Sequence, residues 1–348
     1  MSQRLNIKKM NALKFDIFSK YRGELMGIAI LGVCFAHAFA WVHLDTSLAD
    51  KIISPFTRIA FTEGFLFLSG LGLYYSFQKN DNIAMFYKKR INRVLVPYII
   101  MAFPFLLFKV VSGSISFPDF ILRLSTLYFW FFGNDGMWYI SMSLALYFIF
   151  PLAYKCLFKF DDVRHIVVEV AVIAASCVLL CFLMHVYIPK YYTMVEIGFS
   201  KVPIFFIGML AGYLSYHKRR LPLKYFVGGG MLLALTYLLK REDSFWIYYY
   251  EMALRLIAMP LACVVLMLLH SKKLNGIFSW FGRYSLEIYV LQMLMIGAVD
   301  NLLKSIGYSS ASYYIIQTTL SFMIVFVICS PLHSVIGQLI NKLEGITQ

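Results

Sequence analysis

Among the ionisable residues in or at the edge of long apolar runs of this sequence, five stand out: His37, Glu63, Glu251, Arg255 and Glu287. An ionisable side chain deep in a bilayer costs at least about 2.5–3.5 kcal/mol unless it meets a partner or a wet cavity. Each is therefore either structural glue or part of a site. His37 falls well inside the first run. A histidine there is more often a hydrogen-bonded core residue, yet an imidazole held near neutrality can act as a general base or carry an acyl group. Met26, eleven residues earlier, differs from it by only about 20° around a helix. Arg22, one turn before that, can snorkel along the same face. Glu63 opens the run Glu63-Gly64-Phe65-Leu66-Phe67-Leu68-Ser69-Gly70 with no cation beside it; an interfacial carboxylate and one in a polar cavity fit equally well. Glu251 and Arg255 stand at i, i+4, the spacing of a helical ion pair, and there structural glue is the better reading.

A second constellation is basic. The run Phe86-Tyr87-Lys88-Lys89-Arg90-Ile91-Asn92-Arg93-Val94-Leu95-Val96-Pro97-Tyr98 packs four cations into six residues. An ordinary charge cluster at the cytoplasmic end of a span accounts for their presence, but their density points further. Arg90 and Arg93, at i, i+3, share a helix face and can clamp phosphate oxygens bidentately.

Composition says what kind of elements must position these groups. The chain has 348 residues, 60% hydrophobic and 14% charged, with a mean hydropathy of +0.72. A soluble domain is about 45–50% apolar and about 25% charged, so a cytosolic enzyme, a disordered chain and a fibre are excluded. Ten runs approach the roughly 20 residues that a spanning helix needs: 24–43, 56–77, 94–112, 136–154, 166–187, 198–216, 225–240, 246–269, 277–300 and 311–337. They are continuous rather than alternating, so helices fit and a β-barrel does not. The apolar stretch near 120–133 fits an extra re-entrant or interfacial piece. The expectation is an all-α polytopic membrane protein of about ten transmembrane helices. It forms a single domain over 1–348, with no appended soluble domain.

Counting connections alternately, 21 Lys and Arg fall on the N-terminal side and 9 on the other, which puts both termini in the cytoplasm. That bias, with attraction to anionic lipid, accounts for most of the net charge of +14. Cations split among short loops argue against nucleic-acid binding. No cleavable signal peptide precedes the first run, which then doubles as an uncleaved anchor. The six cysteines read as small packing residues, since Cys177 and Cys181 lack the other ligands of a metal site.

The ordered motifs resemble the integral-membrane acyltransferase 3 family over nearly the whole chain. Gly27-Ile28-Ala29-Ile30-Leu31-Gly32-Val33 followed by His37 looks like the first-helix motif that ends in the family's essential histidine. Phe65-Leu66-Phe67-Leu68-Ser69-Gly70-Leu71-Gly72 is similar to its Phe-rich Ser-Gly segment, with Glu63 at a position often acidic. The 86–98 run resembles its paired-arginine motif. Trp138-Tyr139-Ile140 leading to Tyr147 and Pro151, and Ser285-Leu286-Glu287-Ile288-Tyr289, match the later landmarks. Two positions depart from the pattern. Met26 stands where arginine is usual, with Arg22 one turn away as a stand-in, and Gln292 stands where the late motif ends in histidine.

The resemblance implies a surface-glycan O-acyltransferase, multi-pass in the inner (plasma) membrane. Its donor would be acetyl-CoA or another acyl-CoA, without a metal. Arg90, Arg93, Lys88, Lys89 and Arg22 would hold that donor. His37 would deprotonate the acceptor or take the acyl group, Glu63 would orient its ring as in a catalytic triad, and Ser69, Trp138, Tyr139, Glu287 and Tyr289 would support them. The acceptor would be a hydroxyl of lipopolysaccharide, capsule or another surface or lipid-linked carbohydrate on the outer side. Membrane lipids surround such a chain, and a homo-oligomer is compatible with it. Two rivals remain open: a transporter or glycan flippase that uses the intramembrane carboxylates, and an inactive relative.

Overall fold

A computed structural model describes residues 13–41, 62–133, 136–269, 271–308 and 313–346. Sequence expectations that fall on Arg4, Lys8, Lys9, Lys51 and Arg58, and on the ends of the runs 24–43, 56–77 and 311–337, lie outside the described residues. Sixteen α-helices are found among them. In order these are α1 (Asp16–Lys20), α2 (Arg22–Trp41), α3 (Thr62–Lys79), α4 (Ile83–Arg90), α5 (Val96–Val111), α6 (Phe117–Leu124), α7 (Tyr128–Phe132) and α8 (Trp138–Leu157). They continue as α9 (Val163–Tyr187), α10 (Pro189–Phe199), α11 (Val202–Tyr216), α12 (Leu223–Glu242), α13 (Ile247–Leu269), α14 (Lys272–Arg283), α15 (Ser285–Ser305) and α16 (Tyr313–Ile346). The described chain is all-α. Its one extended contact is an isolated bridge between Lys14 and Arg220.

Among the described residues, seven helical stretches are long and apolar enough to cross a membrane: Ile83–Val111, Trp138–Leu157, Val163–Tyr187, Pro189–Tyr216, Ser244–Leu269, Ser285–Ser305 and Ile315–Lys342. The apolar runs also mark α2, α3 and α12, which are helices of 20, 18 and 20 residues outside that set. For α3 the reason is its position. Thr62 through Leu71 are all buried, so protein surrounds this part of the helix, and it can carry Glu63 and Ser69 without presenting them to hydrocarbon. Its tightest neighbour is α11, where Gly70 and Gly208 let the backbones meet. A Cβ on either would strike the carbonyl oxygen of Phe205 or of Phe67. Small residues drive helix contact in a membrane this way, because lipid gives apolar surfaces little incentive to associate.

Three boundaries differ from the sequence reading. The run 277–300 is not one span: it breaks at Tyr284 (φ −99°, ψ 16°) into α14 and α15. α14 is held by protein, since Gly27 and Gly282 bring it against α2 too closely for a Cβ on either. The basic stretch before Pro97 is helix rather than loop. Asn82 caps α4 by accepting from the Met85 N–H at 2.9 Å, and the chain runs through a π-helical turn, Ile91–Leu95, into α5. Pro97 lacks an N–H, and its ring crowds the carbonyl one turn back. The wider π turn, with the Val96 N–H on the Ile91 carbonyl, accommodates it. Finally, Lys201 is no loop cation. It sits in the break between α10 and α11, buried to 2% exposure. The stretch near 120–133 becomes two short helices, α6 and α7. Cys34, Cys181, Cys263 and Cys329 are buried, but Cys156 is exposed rather than packed.

Candidate active site

One face of α3 carries Thr62, Phe65, Ser69, Gly72, Ser76 and Lys79 at steps of three and four residues. All of them line a cavity of about 810 Å³. At 1.5 Å per residue the cavity follows the helix for about 25 Å. Across from it, α8 contributes Tyr139, Ser143 and Tyr147 at four-residue steps, and α2 contributes Arg22, Gly23 and Met26. The start of α15 and His333 of α16 complete the wall.

One end is basic. Arg22, Lys79, Arg90, Arg93 and Arg283 all line it. Arg22 Nε donates to the Leu68 carbonyl at 3.2 Å, and Arg90 Nη2 donates to Ser76 Oγ at 3.1 Å. Among the described residues none of these five cations is paired with a carboxylate, and Glu287 is the lone acid in the lining. A cleft of one sign between low-dielectric walls focuses the field and gathers counter-ions. Its chemistry suits a polyanion. The sequence-expected Arg22, Arg90 and Arg93 meet here, whereas Lys88 and Lys89 are exposed and outside the lining. Lys79, which read in the sequence only as a topological charge, and Arg283, which fell within or beside a span and outside that count, join them.

The other end is lined by aromatic rings. Tyr139 packs against Phe65 with ring centroids 5.8 Å apart and edge-on against Tyr289 at 5.5 Å. The Tyr289 hydroxyl donates to the Gly136 carbonyl at 2.7 Å, which fixes the ring. Ser69 Oγ and Tyr147 Oη lie 3.4 Å apart. Trp138 is buried behind this wall, with its ring 5.8 Å from Lys201 Nζ.

Glu287 is 2.6 Å from His333 Nδ1 through Oε1. The carboxylate side chain is 4% exposed and the imidazole 42%, so the buried acid holds a ring that opens into the cavity. The criterion that singles out His37, an ionisable group in an apolar run, applies equally to His333 in 311–337. Nothing in the sequence shows that it meets an acid 46 residues away.

His37 sits elsewhere. It is half-buried on α2 beside the fully buried Gln292, and its Nδ1 has no hydrogen-bond partner among the described residues. It is not in the cavity lining. α2 and α3 run antiparallel, with Gly64 against Ala29 and Gly72 against Arg22. That register levels Thr62 with residue 31 and puts His37 roughly 9 Å further along. Residues 42–61, which join the two helices at this end, lie outside the described residues.

Glu63 is engaged on another side. Its Oε1 accepts from Lys201 Nζ at 2.6 Å, and its Oε2 lies 3.1 Å from Arg255 Nε. Arg255 also meets Glu251 at 3.3 Å. The pair that the spacing suggested exists, but it is half of a four-residue network joining α3, α13 and the α10–α11 break. No hydrogen bond or ion pair links Glu63 to His37 among the described residues. No group of His, Cys, Asp or Glu among them is arranged to hold a metal ion.

A family model for the acyltransferase 3 family, described as an acyltransferase domain, matches residues 25–333. No curated protein and no solved structure matches the chain.

Proposed function

The chain belongs to the acyltransferase 3 family, and from that premise we propose that it is a membrane O-acyltransferase that moves an acyl group, acetyl by expectation, from cytoplasmic acyl-CoA to a carbohydrate hydroxyl on the outer side. The observation that carries this reading is the set of five un-neutralised cations at one end of a cavity about 25 Å long. Coenzyme A is a polyanion with a long neutral arm that ends in the thioester. A basic mouth leading into a passage of aromatic rings and hydroxyls suits both parts. Arg90 and Arg93 hold the phosphates with Arg22, Lys79 and Arg283, and the arm threads along the α3 face toward Phe65 and Tyr139. Lys88 and Lys89 attract the donor from outside the lining.

His37 receives the acceptor beyond the aromatic end and either takes its hydroxyl proton or accepts the acyl group. Ser69, Tyr139 and Tyr289 shape the passage below it. Glu63 acts through Lys201 and Arg255, holding the outer half of α3 in place, and Trp138 packs behind that contact. The cation bias supports a cytoplasmic basic mouth.

Mass spectrometry of surface glycans with and without this gene tests the reading, alongside acyl-CoA consumption by the purified protein. The expected result is donor-dependent loss of coenzyme A thioester and an acetyl-sized mass difference on the glycan. Substrate accumulation without covalent change would instead mark a carrier, and binding of acyl-CoA without turnover an inactive relative.

A further inference from the structure

Among the described residues that line the cavity, one imidazole has its orientation already fixed. His333 Nδ1 is committed to Glu287 Oε1 at 2.6 Å, which leaves Nε2 as the other ring nitrogen of a residue that lines the cavity. The Tyr284 ring packs edge-on against it, with centroids 5.2 Å apart, and that ring is itself tied by Ser330 Oγ, 3.2 Å from its hydroxyl. Among the described residues, the charged groups that share this cavity are Glu287 on α15, Arg283 at the end of α14, Arg22 on α2, Lys79 on α3, Arg90 at the end of α4 and Arg93 in the π turn. Glu287 is the one acid among them, and it is spent on the imidazole.

Depth decides what such a group can reach. Tyr289, two residues beyond Glu287, meets Tyr139, and Tyr139 meets Phe65. Phe65 is eleven residues along α3 from Ser76, where Arg90 is anchored. The dyad therefore lies deeper than the arginine, toward the aromatic end of the cavity. A donor held by its phosphates at the mouth projects its sulfur toward this level.

We propose that His333, oriented by Glu287, is the proton donor to the departing coenzyme A sulfur. The assignment rests on the acyltransferase reading. The acceptor hydroxyl attacks the thioester carbonyl carbon and releases its proton to water, the C–S bond breaks, and its electron pair goes to sulfur. The sulfur takes the Nε2 proton of the imidazolium, and the neutral ring regains a proton from water at the open mouth. His333 is the catalytic residue of the pair, and Glu287 positions it.

The test compares wild type with His333→Gln and Glu287→Gln on two donors: acetyl-CoA and an acetyl thioester of an aryl thiol, whose thiolate leaves without a proton. General acid catalysis contributes about 10²–10⁴-fold. Both variants should lose at least about 100-fold with acetyl-CoA and only a few-fold with the aryl donor. They should bind coenzyme A as wild type does by calorimetry, which reports that they fold. His333→Gly with added imidazole reads the same step without the second donor, and turnover of acetyl-CoA should recover. Undiminished turnover by His333→Gln overturns the assignment, as does an equal loss on both donors or failure of imidazole to restore His333→Gly. A wild-type protein that consumes neither donor overturns the acyltransferase reading itself, and the dyad's role with it.

Discussion

The guanidinium of Arg22 lies on the bare Cα of Gly72. A Cβ added there would come within 2.8 Å of Nη2 and 3.0 Å of Cζ. The missing side chain on α3 is thus the space that lets an arginine from the first turn of α2 enter the cavity. Gly72→Ala should push Arg22 aside and weaken coenzyme A binding by about three- to tenfold, less than the loss of one whole charge-assisted contact because the guanidinium is displaced rather than removed. In an Arg22→Ala background the same change should add little. Calorimetric titration of the two single variants and the double variant checks this, and full additivity would mean that Gly72 serves something else.

Arg90 and Arg93 come to one cavity from either side of the α4 boundary with the π turn. A hydrogen bond to a charged group contributes about 1.5–3 kcal/mol, so each alanine substitution should weaken coenzyme A binding by about 10- to 100-fold. The loss should shrink at high salt, where the wild-type attraction is screened. Arg90→Lys should recover only part of the affinity, because a point charge cannot replace a planar fork. Unchanged affinity with inverted topology would identify the pair as a positive-inside anchor and nothing more.

His37 lies outside the cavity lining, so donor binding and catalysis should separate there. His37→Ala should abolish acyl transfer while coenzyme A affinity and membrane insertion stay at wild-type levels. Retained O-acylation of the glycan refutes its role in the chemistry, and a large loss of donor affinity places the ring in the donor site instead.

Glu63 bridges two buried cations. Removing one member of a buried pair typically costs about 3–5 kcal/mol, because the remaining charge is left uncompensated. Glu63→Gln should therefore lower the thermal midpoint in detergent sharply, and Lys201→Met should do likewise. The double substitution should cost less than the two separate losses added together. If Glu63→Gln keeps its stability and loses only turnover, the carboxylate belongs to the chemistry rather than to the packing of α3.

Much of the architecture is legible in the sequence because the bilayer leaves few choices. A run of about 20 apolar residues must close its own backbone hydrogen bonds, and a helix does so within the segment. Hence α8, α9 and α13 lie close to where the runs put them. The division of 277–300 into α14 and α15 was not legible, because hydropathy cannot tell a segment that faces lipid from one pressed against α2 through Gly27 and Gly282. Lys201 misled for the same reason: its type and place near an outer connection read as a loop charge, and burial is a property of the neighbours.

The local sequence by itself determined which residues are polar where polarity is costly, and the three- and four-residue steps that put Ser69, Gly72 and Ser76 on one face of α3. Those are consequences of helix period and transfer energy, which act within a single segment. Only the tertiary structure decided the partners. Glu63 turned to Lys201 and Arg255, Glu287 turned to His333, and Arg22 reached the cavity through the gap at Gly72. Each pairing closes a distance of about 45 to 190 residues along the chain. Charge and hydrogen-bond complementarity select such partners in space, where sequence separation carries no weight.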